Sequence, residues 1–72
     1  MSGRPVKRSL TLRGHRTSVS LEDEFWAAFR DMAAADGKGI NEAAAKIDEG
    51  RGDIGLASAI RVAVLGWALG RR

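Results

Sequence analysis

Arg16, Ser18 and Ser20 recur at every second position of the stretch Arg16-Thr17-Ser18-Val19-Ser20-Leu21. Residues two apart on an extended chain share a face, so a guanidinium and two hydroxyls stand together while Thr17, Val19 and Leu21 turn the other way. Such a face does hydrogen-bonding chemistry. An arginine fork can donate two parallel bonds to the edge of a guanine, and a hydroxyl can donate to or accept from several bases. The side chains that bond-breaking chemistry needs are scarce. There is no cysteine, His15 is the one histidine, and the acids gather at helix ends, where capping and solubility account for them. With no metal-ligand spacing and no phosphate-loop glycine pattern, neither a metal nor a cofactor nor an enzyme activity is expected.

Charge is unevenly spread. The chain of 72 residues carries a formal +3, yet residues 1–20 hold Arg4, Lys7, Arg8, Arg13 and Arg16 with no acid, a local +5, against −2 for residues 21–72. A basic segment on a near-neutral body is the footprint of a polyanion partner, nucleic acid first and an anionic membrane second. Residues 1–8, with Gly3, Pro5 and the three bases Arg4, Lys7 and Arg8, are expected to form a basic mobile arm, and residues 9–72 the domain proper.

The elements that position the polar face follow from periodicity. Ser9-Leu10-Thr11-Leu12-Arg13 alternates with its leucines at even positions, whereas Thr17, Val19 and Leu21 are odd, so the chain must turn or bulge near Gly14. The Leu10 and Leu12 run is assigned to the arm or to a separate pairing. That leaves one short strand, 16–21, feeding a helix from about Glu22, with Ser20 as N-cap and Asp23 in a capping-box-like place. Phe25, Phe29, Met32 and Ala33 form the core stripe of this first helix, flanked by Trp26, and Gly37 ends it. A second helix carries Ile40, Ala43, Ala44 and Ile47. A third runs from about Leu56 to Leu69, with Leu56, Ile60, Val64 and Trp67 on one stripe and Val62, Leu65 and Leu69 on another. Arg61 in that apolar helix reads as a structural arginine, since a charge there must be partnered.

With 44% hydrophobic residues, the chain has more apolar surface than a domain this small readily buries alone. A lone strand also needs a partner. Both point to a core shared between copies. No secretory signal is read at the amino terminus, and the stretch Ile54 to Leu69, interrupted by Arg61, is shorter than the roughly 20 apolar residues a membrane span requires. A cytoplasmic, nucleoid-associated location is expected.

The basic arm, polar strand, junction Val19-Ser20-Leu21-Glu22-Asp23-Glu24-Phe25-Trp26 and following helices resemble the ribbon-helix-helix DNA-binding domains of the Arc/MetJ superfamily. The string Lys7-Arg8-Ser9-Leu10 with Arg13-Gly14-His15-Arg16-Thr17-Ser18-Val19-Ser20-Leu21-Glu22 is similar to a subgroup of short bacterial proteins of that kind. The resemblance implies a mostly α fold with one short β-strand, as an intertwined homodimer whose two strands form an antiparallel ribbon, with an additional C-terminal helix. It implies a repressor that reads double-stranded DNA through Arg16, Ser18 and Ser20. Backbone contacts would come from Arg4, Lys7, Arg8 and Arg13, and from the turn Lys38, Gly39, Ile40 and Asn41. The dimer core would comprise Thr17, Val19, Leu21, Phe25, Phe29, Ile60, Val64 and Trp67. Two turns qualify as the phosphate clamp, 37–41 and 55–58, the first being preferred for its distance from the first helix. Assembly beyond the dimer on DNA is left open.

A second expectation comes from another class. An antitoxin or adaptor would use the apolar third helix to grip a partner protein, although the chain closes on Gly70-Arg71-Arg72 without the long tail that often neutralises a toxin. A peripheral membrane role ranks last, because the arm lacks apolar anchors.

Overall fold

The computed structural model describes residues 3–70; Met1 and Ser2 of the expected arm, and Arg71 and Arg72, lie outside the described residues. Two strands and three helices follow in order: β1 Val6–Leu12, β2 His15–Leu21, α1 Asp23–Ala35, α2 Ile40–Gly50 and α3 Leu56–Ala68.

The single expected strand is therefore two. β1 and β2 form an antiparallel hairpin within one chain, with Leu12 opposite His15 at the turn and Val6 opposite Leu21 at the far end. The change of parity at Gly14 is what such a hairpin requires. When two residues close the loop, even positions of one strand oppose odd positions of the other, and opposed residues share a face. Leu10 and Leu12 thus join Val19 and Leu21 on one side, and belong neither to an arm nor to a separate pairing. Arg13 at φ 52° and Gly14 at φ 86° supply the two positive angles of a type I′ turn, whose twist matches that of the strands. Val6, Lys7 and Arg8 are likewise strand residues, paired with Leu21, Ser20 and Val19.

β2 runs unbroken to Leu21, which places Ser20 in the strand and makes Glu22 the N-cap of α1, without a side-chain cap bond. The expected capping box at Ser20 does not form, because Leu21 must stay extended to pair with Val6 and to bury its side chain completely. At its other end α1 closes as expected at Gly37. The Lys38 amide donates to the Ala33 carbonyl and the Gly37 amide to that of Ala34, both at 2.9 Å, with Gly37 at φ 70°. This is a Schellman closure.

The hairpin covers a cluster of the three helices. α2 packs against β1 and the other two helices and buries Ala43, Ala44 and Ala45, while α3 packs against β2 and both other helices. Leu10, Val19, Leu21, Trp26, Phe29, Ile60 and Val64 form the centre of the core. Trp26 is buried within it and is no mere flank of the Phe25 stripe, because its indole N–H donates to the Val6 carbonyl at 2.8 Å and is thereby satisfied out of water. Its ring lies 6.3 Å from that of Phe29. Phe25 is half-buried, beneath the Arg61 guanidinium at 5.7 Å.

The two stripes of α3 part company. Ile60 and Val64 are buried, with Leu56 and Trp67 packed beside them, whereas Val62, Leu65 and Leu69 are exposed at 67%, 52% and 58%. A single chain thus closes its core and leaves one apolar helix face in water.

Candidate nucleic-acid interface

The hairpin has one face on the helices and one away from them. Away from them stand Lys7, Ser9 and Thr11 of β1 and Arg16, Ser18 and Ser20 of β2, in the opposed pairs Lys7–Ser20, Ser9–Ser18 and Thr11–Arg16. All are exposed except Ser20, which is half-buried. The face is a ladder of four hydroxyls with a cation at each of two diagonal corners, and no carboxylate interrupts it. Four residues of strand span about 13 Å and neighbouring strands lie about 4.8 Å apart, dimensions that enter a major groove about 12 Å wide.

Arg16, Ser18 and Ser20 are thus brought together as expected. Ser9, Thr11 and the outward role of Lys7 were missed, and the signal for them was the parity change at Gly14: once it is taken as a two-residue hairpin, every odd residue of β1 joins the even residues of β2.

The other basic side chains are placed differently. Arg8 has the core-face parity, and its guanidinium lies 5.7 Å from the Trp26 ring as a cation–π lid. Arg13, at the turn, is ion-paired with Glu49 of α2, both exposed. Arg4 is exposed near the start of β1. Arg16 makes no ion pair among the described residues.

Two helix side chains close the edges of the ribbon. In an antiparallel ladder every second residue directs its amide and carbonyl outward. At Thr11 the outward amide donates to Oδ1 of Asn41 at 3.0 Å, and at Ser20 the outward carbonyl accepts from Nη2 of Arg61 at 3.3 Å. Asn41, expected as a phosphate contact, therefore holds the first turn of α2 against the ribbon edge. Gly39 is the N-cap of α2 and carries no side-chain cap bond. Lys38 lines a shallow cleft beside that turn with Thr11, Arg13, Asn41, Lys46 and Glu49, and Ile40 is half-buried against the core. The alternative turn opens α3 at Gly55; the neighbouring Leu56 lines a second cleft with Leu12, His15, Thr17, Asp48 and Arg51, on the core-face side of the hairpin.

Arg61 is the structural arginine expected of it. Besides Ser20 it holds both carboxylate oxygens of Glu22, at 3.0 and 3.2 Å. The Glu22 carboxyl sits below its ordinary value, first through a hydrogen bond from its own backbone amide and then through Arg61, with partial burial opposing.

The residues expected to form a shared core are placed within one chain. Val19, Leu21, Phe29, Ile60 and Val64 are buried there, and Thr17, Phe25 and Trp67 are half-buried. Among the described residues no helix is long and apolar enough to cross a membrane, and no group of acidic or histidine side chains gathers that could hold a metal ion.

No curated protein and no solved structure matches the chain at a significant level. The ribbon-helix-helix domain family matches it over residues 5–68, from just before β1 to the end of α3. Domains of that family are typically DNA-binding transcription regulators or antitoxins, are not enzymes, and usually dimerise. The chain belongs to the ribbon-helix-helix domain family.

Proposed function

We propose that the chain is a sequence-specific DNA-binding repressor of the bacterial cytoplasm that lays its ribbon in the major groove and acts by occupying an operator. The supporting observation is the outward face of the hairpin, an exposed ladder of hydroxyls with two cations and no acid. Arg16, Ser18 and Ser20 read base edges. Arg4 and Arg13 approach phosphates, Arg13 by exchanging Glu49 for DNA. The clamp is the turn 37–41, where Lys38 and the backbone amides at the α2 amino terminus offer donors beside the ribbon edge, with Glu42 of the same first turn offsetting the charge of Lys38. A second copy meets this one through Val62 and Leu65 of α3 and Leu69 at its C-cap, apolar side chains that the core leaves in water.

The experiment is a titration of the purified chain onto duplex DNA selected from a random pool, repeated across salt concentrations. Affinity should fall linearly on logarithmic axes as salt rises, because phosphate contacts release counterions. Arg16→Ala should weaken the selected site by about 1 to 3 kcal/mol. A flat salt response would remove the nucleic-acid role.

The α3 stripe also supports a second reading, an antitoxin or adaptor that covers those side chains with a partner protein. A chain that is monodisperse as a homodimer supports the repressor; a chain that stays soluble only with a co-purifying protein supports the adaptor.

A further inference from the structure

We propose that the hairpin is a fused pair of equivalent half-ribbons, so that one chain alone presents a complete reading face with local twofold symmetry. This rests on the ribbon lying in the major groove. The two strands repeat one another at an offset of nine residues: Lys7 matches Arg16, Ser9 matches Ser18, Leu10 matches Val19, Thr11 matches Ser20 and Leu12 matches Leu21. Of the seven strand positions, the pairs Val6 with His15 and Arg8 with Thr17 differ in class. An amphipathic hairpin requires polar residues outside and apolar ones inside. It does not require a cation, a serine, a second hydroxyl and a leucine at the same four places in each strand.

The register turns this repeat into a symmetry. An antiparallel pair has a local twofold axis through the midpoint of two opposed residues. Ser9 opposes Ser18, Lys7 opposes Ser20 and Thr11 opposes Arg16. Rotation about the axis between the two central serines therefore carries Lys7 onto Arg16 and Thr11 onto Ser20.

The edge closures fall on axis-related residues, although the group held is an amide at Thr11 and a carbonyl at Ser20. Thr11 and Ser20 are symmetry mates, and each has its outward backbone group held by a helix side chain, Asn41 of α2 on one edge and Arg61 of α3 on the other. A strand from a second copy could add at neither place without displacing its clasp, so the ribbon is complete at two strands from one chain. B-form DNA has local twofold axes of its own, and symmetric readers meet symmetric sites. The ligand is thus a short inverted repeat in duplex DNA, one half read by Lys7, Ser9 and Thr11 and the other by Arg16, Ser18 and Ser20.

Selection from a random duplex pool tests this with the full chain and with the variants Lys7→Ala and Arg16→Ala, each checked for fold by circular dichroism. The intact chain should enrich a short inverted repeat. Lys7→Ala should relax one half of each bound element and Arg16→Ala the other, by about 5- to 150-fold at the affected base pair. Relaxation of both halves by Arg16→Ala with none from Lys7→Ala would mean that two copies supply the ribbon, overturning the fused half-ribbons while leaving DNA reading intact. An enriched site without inverted symmetry overturns them too. Failure of the intact chain to enrich any sequence would overturn the major-groove reading itself.

Discussion

Arg61 of α3 reaches across to Glu22, donating from both Nε and Nη2 to the same carboxylate oxygen at 3.0 Å. The pair lies 39 residues apart in sequence and joins the third helix to the point where β2 becomes α1. Glu22 thus anchors the junction by its side chain while its carbonyl accepts the first helical bond, from the Trp26 amide at 3.0 Å.

The pair should give stability an acid-sensitive part. The folded state lowers the Glu22 carboxyl below its ordinary value of 4.5, so the folded chain binds fewer protons than the unfolded one in that range. The contribution is then fully present above about that value and fades as pH falls through the lowered one. Denaturant unfolding of the parent and of Glu22→Gln at pH 7 and near pH 3 measures it. The variant should be less stable at neutral pH and should lose less on acidification; equal acid losses in both would remove Glu22 as the source.

The turn has its own signature. Gly14 sits at φ 86° with nothing within 4 Å of where a Cβ would stand, so a substitution there strains the backbone without colliding. Gly14→Ala should lower stability by about 1 to 2 kcal/mol, read from thermal or denaturant unfolding. A neutral result would mean that the turn is not held in this conformation.

Core truncation should be severe. Phe29 and Trp26 are fully buried against each other, and removing either ring from so small a core takes away about 3 to 5 kcal/mol, comparable with the whole stability of a chain this short. Phe29→Ala should be largely unfolded at room temperature by circular dichroism. A cooperative unfolding transition close to the parent's would contradict the packing described.

The exposed face of α3 gives the opposite pattern. Val62→Glu and Leu65→Glu place charges on a surface already in water, so the fold should survive while self-association weakens. Sedimentation of the double variant should show a monomer where the parent shows a dimer. A dimer that persists with unchanged affinity would move the interface elsewhere.

Periodicity made the helices legible, because Phe29, Met32, Ala44, Ile60 and Val64 each fall on an apolar stripe that one side of a helix can bury. The hairpin was harder. Arg13-Gly14 lacks the Asn-Gly or Asp-Gly that advertises a type I′ turn, so the parity change suggested an isolated strand and a detached leucine run. Ser20 looked like an N-cap by local chemistry, but the pairing of Leu21 with Val6 overruled it from 15 positions away. The contact of Asn41 with the ribbon was hidden for the same reason: its partner, the Thr11 amide, lies 30 residues upstream. Arg61 was legible as a residue needing a partner, though sequence alone did not say which. Within the reading face, Arg16, Ser18 and Ser20 stood out through alternation, while Ser9 and Thr11 became visible only with the register.

The clasps at Thr11 and Ser20 bear also on how the protein survives at high concentration. A bare two-stranded sheet is a ready template for foreign strands, and growth along such an edge is how soluble chains enter cross-β deposits. Asn41 and Arg61 each occupy a backbone group that an invading strand would need, and Lys7 and Arg16 set charge beside the positions left open. The side chains that hold the ribbon to its helices are thus also gatekeepers against its polymerisation.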